Sequence, residues 1–440
     1  MRLEVSNFAK IGNADLKFDG ITVIAGMNNT GKTTIGKILY CIFNSLYDLE
    51  NQIDTRRNYQ IHNLCVRYLQ RQMAMSTKAA SAKKRGIKTS VYAYNEICGS
   101  IAEQICNMHS EDFSLENLMD IILDAFKMND LIPNKQLEQT VNELYNKLAN
   151  VVDLDRSKVG NELVFQFFDR NFASQIQSLK FLNEEAKITL TLKGNTISIV
   201  FNANSIELEG NIDILHEAYF LDDPFVVDDL RRNYLYLDGI VEALRPRDFL
   251  IDKLRISEEN IGNVFDTISA KEKISEIMKI VNDVVPGEVS SKGGRWTLSS
   301  KYLDQSVDFY NLSAGVKSFV VIKMLLEKGI LKEKDMLILD EPEIHLHPEW
   351  QLKYAEIIVL LQKMFDLNIV VTTHSRDFFE AINLYSKKYS ISDKCSYYLA
   401  NQSDGTAAFE DVTDDPTPIY RQLIAPNRLL DELRFELEDE

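Results

Sequence analysis

Hydrophobic positions alternate with polar ones at the start of the chain and again near its middle. Ala14-Asp15-Leu16-Lys17-Phe18 keeps a period of two and predicts a half-buried strand, as do Lys187 to Leu192 and Thr196 to Phe201 on either side of Gly194-Asn195. Ile21-Thr22-Val23-Ile24-Ala25 is instead a continuous apolar, β-branched run, the mark of a strand buried on both faces in a parallel sheet. Directly after it, Ile35, Ile38, Leu39, Ile42 and Leu46 recur at helical spacing. Residues 47–150 read as mainly helical, and helix returns over about 258–284. Pro286-Gly287 and Gly293-Gly294 punctuate a further hairpin. The last third alternates again: a strand at Met336 to Leu339, a helix from Glu349 to about Phe365, and a strand at Asn368 to Thr372. This order predicts an α/β fold with a parallel core, a mixed β lobe and a mainly helical insertion. The expected division is 1–46, a helical lobe at 47–185, strands and helices at 186–284, a second core segment at 285–400, and an acidic extension at 401–440.

Length supports a large insertion, since a single core stops growing near ~250–300 residues and this chain has 440. No apolar run approaches the ~18 residues of a membrane span, and Met1 to Val5 lacks the apolar stretch of a leader, so a cytoplasmic location without membrane contact is expected. Five cysteines without paired spacing fit reduced core thiols. The net charge of −17 argues against nucleic acid, but it is unevenly spread. Residues 51–90 hold nine basic side chains against Asp54, which leaves −25 for the rest. Lys78, Lys83, Lys84, Arg85 and Lys88 are therefore the candidates for DNA phosphate contact; a solvated helix face or an acidic protein partner fits them equally. Asp431 to Glu440 has six acids and is expected to be a solvated or partner-facing tail.

Four segments carry chemistry. Gly26-Met27-Asn28-Asn29-Thr30-Gly31-Lys32-Thr33, with Thr34 following, has the GxxxxGK[ST] spacing between a strand and a helix. Backbone N–H groups there cradle phosphates, Lys32 neutralises them and the Thr33 hydroxyl suits Mg²⁺. Asn29 tolerates the positive φ such a loop needs. Met336-Leu337-Ile338-Leu339-Asp340-Glu341 is an apolar strand ending in two acids, Asp340 suited to Mg²⁺ and Glu341 to act as general base. Asn311-Leu312-Ser313-Ala314-Gly315 caps a helix, as many a lone Ser does. Thr372-Thr373-His374-Ser375 ends the next strand, where His374 alone is compatible with a core histidine. His345 and His347 near Glu341 and Glu343 invite a metal reading that the ligand pattern does not support.

In this order the four segments resemble the ABC-type ATPases of the RecF/SMC/OLD branch. "NLSAGVKS" is similar to their signature loop, "LILDEPEIHLHP" to their second acidic motif and following loop, and "VVTTHS" to their switch histidine. The resemblance covers about residues 1–46 and 285–385, and "AYFLDDPF" at 218–225 makes the chain most similar to the PtuA-type ATPases of Septu and retron anti-phage systems. It implies an ATPase head that binds ATP and Mg²⁺ between two copies of the chain, or within a higher oligomer. Lys32, Thr33, Asp340 and Glu341 of one copy would face Ser313 and Gly315 of the other, with His374 at the γ-phosphate. It further implies a separate nuclease partner, of HNH type, and no nuclease in this chain. Val316 departs from the polar residue usual after the signature glycine, and the glutamine-containing loop is not placed, Gln52 and Gln60 being the guesses. RecF-like DNA repair and an ATP-dependent scaffold without turnover are the alternatives. A transporter subunit fits poorly, because 279 residues separate Thr33 from Leu312.

Overall fold

The computed structural model describes residues 1–75, 87–178, 180–181, 184–202, 205–231, 244–255, 264–300 and 303–438. The chain forms two compact units: residues 48–162, and the two flanking segments 1–47 and 163–440 together.

The larger unit begins with a hairpin, β1 (Arg2–Phe8) and β2 (Ile11–Lys17), in antiparallel register with Leu3 opposite Leu16. β3 (Ile21–Gly26) is buried at every residue, as its unbroken apolar run requires, and leads into α1 (Lys32–Leu46). Within the smaller unit, α2 (Leu49–Met75), α3 (Ile87–Cys106), α4 (Leu115–Met128) and α5 (Leu137–Val152) bury one stripe each. Ile61, Cys65 and Leu69 of α2 meet Cys98 and Ile101 of α3, Ile122 and Phe126 of α4, and Val141 and Leu144 of α5 in one apolar cluster. Arg156, at the start of α6 (Arg156–Phe172), closes this unit by pairing with Glu50 and Asp54 at 2.5 and 2.6 Å.

The smaller unit runs to Glu162. The reason is packing: the second half of α6 carries Phe168 and Phe172, which meet Phe8 and Phe201 edge to face in the larger unit. There, β4 (Ala186–Leu192), β5 (Asn195–Phe201) and β6 (Ile206–Gly210) extend the first hairpin antiparallel. β7 (Ala218–Leu221) is followed by a 3₁₀ segment, Pro224–Arg231, and by α7 (Pro246–Arg255) and α8 (Val264–Val284). β8 (Glu288–Lys292), β9 (Arg295–Ser299) and β10 (Val307–Asp308) form a separate small sheet. The chain then runs through α9 (Ala314–Glu327), β11 (Met336–Asp340), α10 (Pro348–Phe365), β12 (Asn368–Thr373), α11 (Arg376–Lys388), β13 (Cys395–Ser403), β14 (Thr406–Asp411) and α12 (Thr417–Glu438).

All but the small sheet join in one eleven-stranded sheet, ordered β6-β5-β4-β1-β2-β14-β13-β3-β12-β11-β7. Its β13-β3-β12-β11-β7 half is parallel and the rest is mainly antiparallel, the mixed lobe and parallel core expected from the pattern. β13 crosses residue 400 and β14 pairs with it, so residues 401–411 complete the sheet. α12 is anchored at its start by buried Ile419 and by Tyr420 and Leu423 on the core, and its acidic end, Asp431 to Arg434, is exposed. Among the described residues no helix is long and apolar enough to cross a membrane.

Candidate functional site

The C-terminal ends of β3, β11 and β12 lie side by side, with Asp340 opposite Thr372 and Ala25 opposite Thr373. That register brings three of the four sequence segments to one edge, where ligands collect in open parallel sheets. The loop from Gly26 to Gly31 leaves β3 and opens α1. Asn29 and Gly31 adopt left-handed backbone, with φ of 68° and 82°. Gly31 is also required sterically: a Cβ there would lie 2.8 Å from Cβ of Ala407 in β14. The Thr30 hydroxyl, buried, donates to the Met27 carbonyl at 2.8 Å and ties the loop to itself. Asn28 and Asn29 are exposed, and Thr34 N donates to the Gly31 carbonyl in the first turn of α1.

Lys32 is almost fully buried. Its ammonium donates to the carbonyls of Gly26 and Met27 at 2.9 and 2.8 Å and lies 3.4 Å from Glu341 Oε1. The Thr33 hydroxyl donates to Asp340 at 2.8 Å (Oδ2), and the Thr372 hydroxyl reaches Oδ1 at 2.5 Å. Burial pushes the Asp340 carboxyl above the usual range, against these two hydroxyl bonds that favour its charged form. Glu341 has a φ of 49° and donates its N–H to the Thr372 carbonyl, so its side chain turns toward Lys32 and His374. His374 Nδ1 lies 3.4 Å from Glu341 Oε1. The Thr33–Asp340 pair supplies the hard oxygen donors Mg²⁺ prefers, which fits that ion.

Glu343 was not singled out for a role by the sequence reading. Its buried carboxylate accepts from the Thr373 hydroxyl at 2.5 Å and from the His374 N–H at 3.2 Å, and burial raises its pKa. It therefore holds the peptide that carries His374. The signal available in sequence was only its place two residues past Glu341.

Ser313 and Gly315 stand apart. Ser313 is the exposed N-cap of α9 and accepts from Val316 N at 3.4 Å. Gly315 is buried where a Cβ would come within 2.9 Å of the His345 carbonyl and 3.2 Å of the Trp350 ring. Among the described residues, no hydrogen bond or ion pair joins either residue to the loop, Asp340 or Glu341 of the same chain. His345 lies edge-on to Phe225, and His347 Nδ1 accepts from Glu349 N at 3.4 Å as the cap of α10. Asp222 and Asp223 follow β7, the strand beside β11, while Gln52 and Gln60 lie on α2 of the helical unit. Lys78, Lys83, Lys84 and Arg85 lie outside the described residues, and Lys88 falls in α3.

A phosphate loop after β3, a pair of acids at the end of β11 and a histidine just past β12, the strand between those two, define a P-loop ATPase. Residues 1–379 match the family described as AAA ATPase domain, and the chain belongs to that family. Similar solved structures include the SMC head domain from Thermotoga maritima, at 10% identity over 93% of this chain and 98% of that one (TM-score 0.38). A Smc head domain with an extended coiled coil from Pyrococcus furiosus, bound to the C-terminal domain of ScpA, matches at 12% identity over 98% of each chain (TM-score 0.40). An SmcHead bound to the C-winged helix domain of ScpA matches at 12% identity over 93% and 97% (TM-score 0.42).

Proposed function

We propose that the chain is a dimeric ATP-operated switch that controls a separate nuclease, of HNH type, in anti-phage defence. The observation that carries the ATP-dependent part is the joining of Lys32, Thr33, Asp340, Glu341 and His374 at one sheet edge. The loop N–H groups and the Lys32 ammonium hold the β- and γ-phosphates, and Lys32 leaves the Gly26 and Met27 carbonyls to do so. Thr33 and Asp340 would hold Mg²⁺, which would supply charge neutralisation on the phosphates. Glu341 accepts a proton from the attacking water, and His374 donates toward the γ-phosphate oxygens.

Ser313, exposed and unconnected to its own chain's phosphate loop, serves the site of a second copy. The composite site then exists only in the dimer, so ATP governs assembly and a docked nuclease reads the assembled state. The basic segment 51–90 is the part of the sequence we assign to DNA. The chain itself cuts no DNA in this reading.

The test mixes two inactive proteins. Ser313→Arg blocks the site that Ser313 serves, and Lys32→Ala disables its own loop. Each alone should be inactive, and the mixture should regain phosphate release at up to about half the wild-type rate per heterodimer, since one of its two sites is intact. Full activity of Ser313→Arg alone would refute the composite site. For the defence role, coexpression with a nuclease encoded beside this chain should confer phage resistance that Lys32→Ala abolishes; resistance kept by that variant would refute ATP control.

A further inference from the structure

Lys10 stands in the turn between β1 and β2, outside the four segments. Its ammonium donates to the side-chain oxygen of Asn29 at 2.5 Å and, more weakly, to the Asn29 carbonyl at 3.4 Å. Both acceptors belong to the one non-glycine residue of the phosphate loop with positive φ. Lys10 is itself fixed from behind: Ala407 N donates to the Lys10 carbonyl at 2.8 Å, and Ile11 pairs with Ala407 in the sheet. The methyl of that same Ala407 faces Gly31, the other left-handed residue of the loop. One strand, β14, thus sets the two points that shape the loop, Gly31 by contact and Asn29 through Lys10.

We propose that Lys10 is a positioning residue of the phosphate loop, locking Asn29 in its left-handed conformation so that the loop N–H groups face the phosphate before nucleotide arrives. The inference rests on the ATP-binding reading of that loop. The physical argument is that a left-handed backbone is disfavoured for a residue with a Cβ, even for Asn, the most tolerant of them. Asn29 has no side-chain bond of its own to loop backbone among the described residues. The ammonium binds the carboxamide and the carbonyl of one residue together, a chelate that a right-handed Asn29 would break. Two of its three protons are committed to Asn29, so its task is done without touching phosphate. A glycine at 29 would take the same conformation with no brace.

The last point gives the test. Four full-length proteins are compared: wild type, Lys10→Met, Asn29→Gly and the double variant. Amide hydrogen exchange at residues 27–31 is measured without nucleotide, and the Kd for Mg-ATP by titration calorimetry. Lys10→Met should speed exchange in the loop and weaken ATP binding by roughly tenfold, the size expected for one charge-assisted hydrogen bond. Its melting temperature should stay at the wild-type value, because Lys10 and Asn29 lie at the surface. Asn29→Gly should bind within about threefold of wild type, and Lys10→Met added to it should change neither readout. Equal losses from Lys10→Met in both backgrounds would mean direct phosphate contact and overturn the proposal. So would no loss with Asn29 present, or a loss from Asn29→Gly as large as that from Lys10→Met. If wild type failed to bind ATP, the nucleotide reading would fall, and the exchange data alone would still decide the brace.

Discussion

Removing the Glu343 carboxylate should misplace His374. The side chain is 2% exposed, and its Oε1 accepts from both the Thr373 hydroxyl and the His374 N–H. Glu343→Ala leaves two buried donors without an acceptor, at about 1–3 kcal/mol each, offset partly where water enters the space vacated. Oε2 has no hydrogen-bond partner among the described residues, so losing it returns some desolvation cost. The net expectation is a loss of about 2–4 kcal/mol in stability. Glu343→Gln keeps the Oε1 acceptor and removes the buried charge, so it should stay within about 1 kcal/mol of wild type. The two variants are compared by denaturant unfolding and by steady-state ATP hydrolysis. The alanine variant should lower kcat more than it raises KM, because His374 shifts while Lys32 and Thr33 remain in place. Burial raises the Glu343 pKa, so stability associated with its protonated form is lost as pH rises through that folded value. Glu343→Gln should therefore gain on wild type as pH rises above the ordinary glutamate range. An alanine variant as stable and as fast as wild type would refute the claim that Glu343 anchors His374.

Three further outcomes follow from the geometry. Glu341→Gln should retain ATP and accumulate a nucleotide-bound dimer while hydrolysis falls by about 100-fold or more, read by size-exclusion light scattering and phosphate release; wild-type turnover would remove Glu341 as the base. Gly36→Ala in α1 puts a Cβ 2.9 Å from both Ile338 and Phe220, so overpacking of about 1–3 kcal/mol should exceed the ~1 kcal/mol gain in helix propensity, and a raised melting temperature would contradict this. Burial lifts Asp335 to about 6, so its penalty on the folded state grows as pH rises from the unfolded value toward 6 and is complete above it. Asp335→Asn, which keeps the acceptor for Lys332 N, should stabilise the protein at pH 7–8 by up to about 3 kcal/mol and have little effect near pH 4; equal effects at both would exclude the titration.

How far the site was legible depends on how local its determinants are. The phosphate loop and the Asp340-Glu341 pair are runs of neighbours whose strand and helix context shows in hydrophobic pattern alone. Glu343 gains its role only from the β11–β12 register, which sets Asp340 opposite Thr372 and so brings Thr373 and His374 over residue 343. Lys10 is less visible still, because its reach to Asn29 depends on β14, almost 400 residues further on, holding the β1–β2 turn. The end of the smaller unit at Glu162 is hidden for a similar reason: α6 is one continuous helical pattern, and Phe168, which meets Phe8, belongs to the larger unit.

Gly315 and Ser313 carry this reasoning one step further, because two residues of one short motif are held for different reasons. Gly315 is accounted for within its own chain: α9 approaches the His345 carbonyl and Trp350 too closely for any side chain. A substitution there would move the whole helix and the loop after Glu341 together, so its loss of activity would not distinguish packing from contact with a second copy. Ser313 has no such constraint. It is exposed, and among the described residues its side chain makes one bond, a weak cap at 3.4 Å, so a larger residue there points into solvent. Ser313→Arg in the mixed-protein experiment therefore isolates the intermolecular role, and should leave the melting temperature within about 1–2 °C of wild type, as expected for loss of a weak exposed cap.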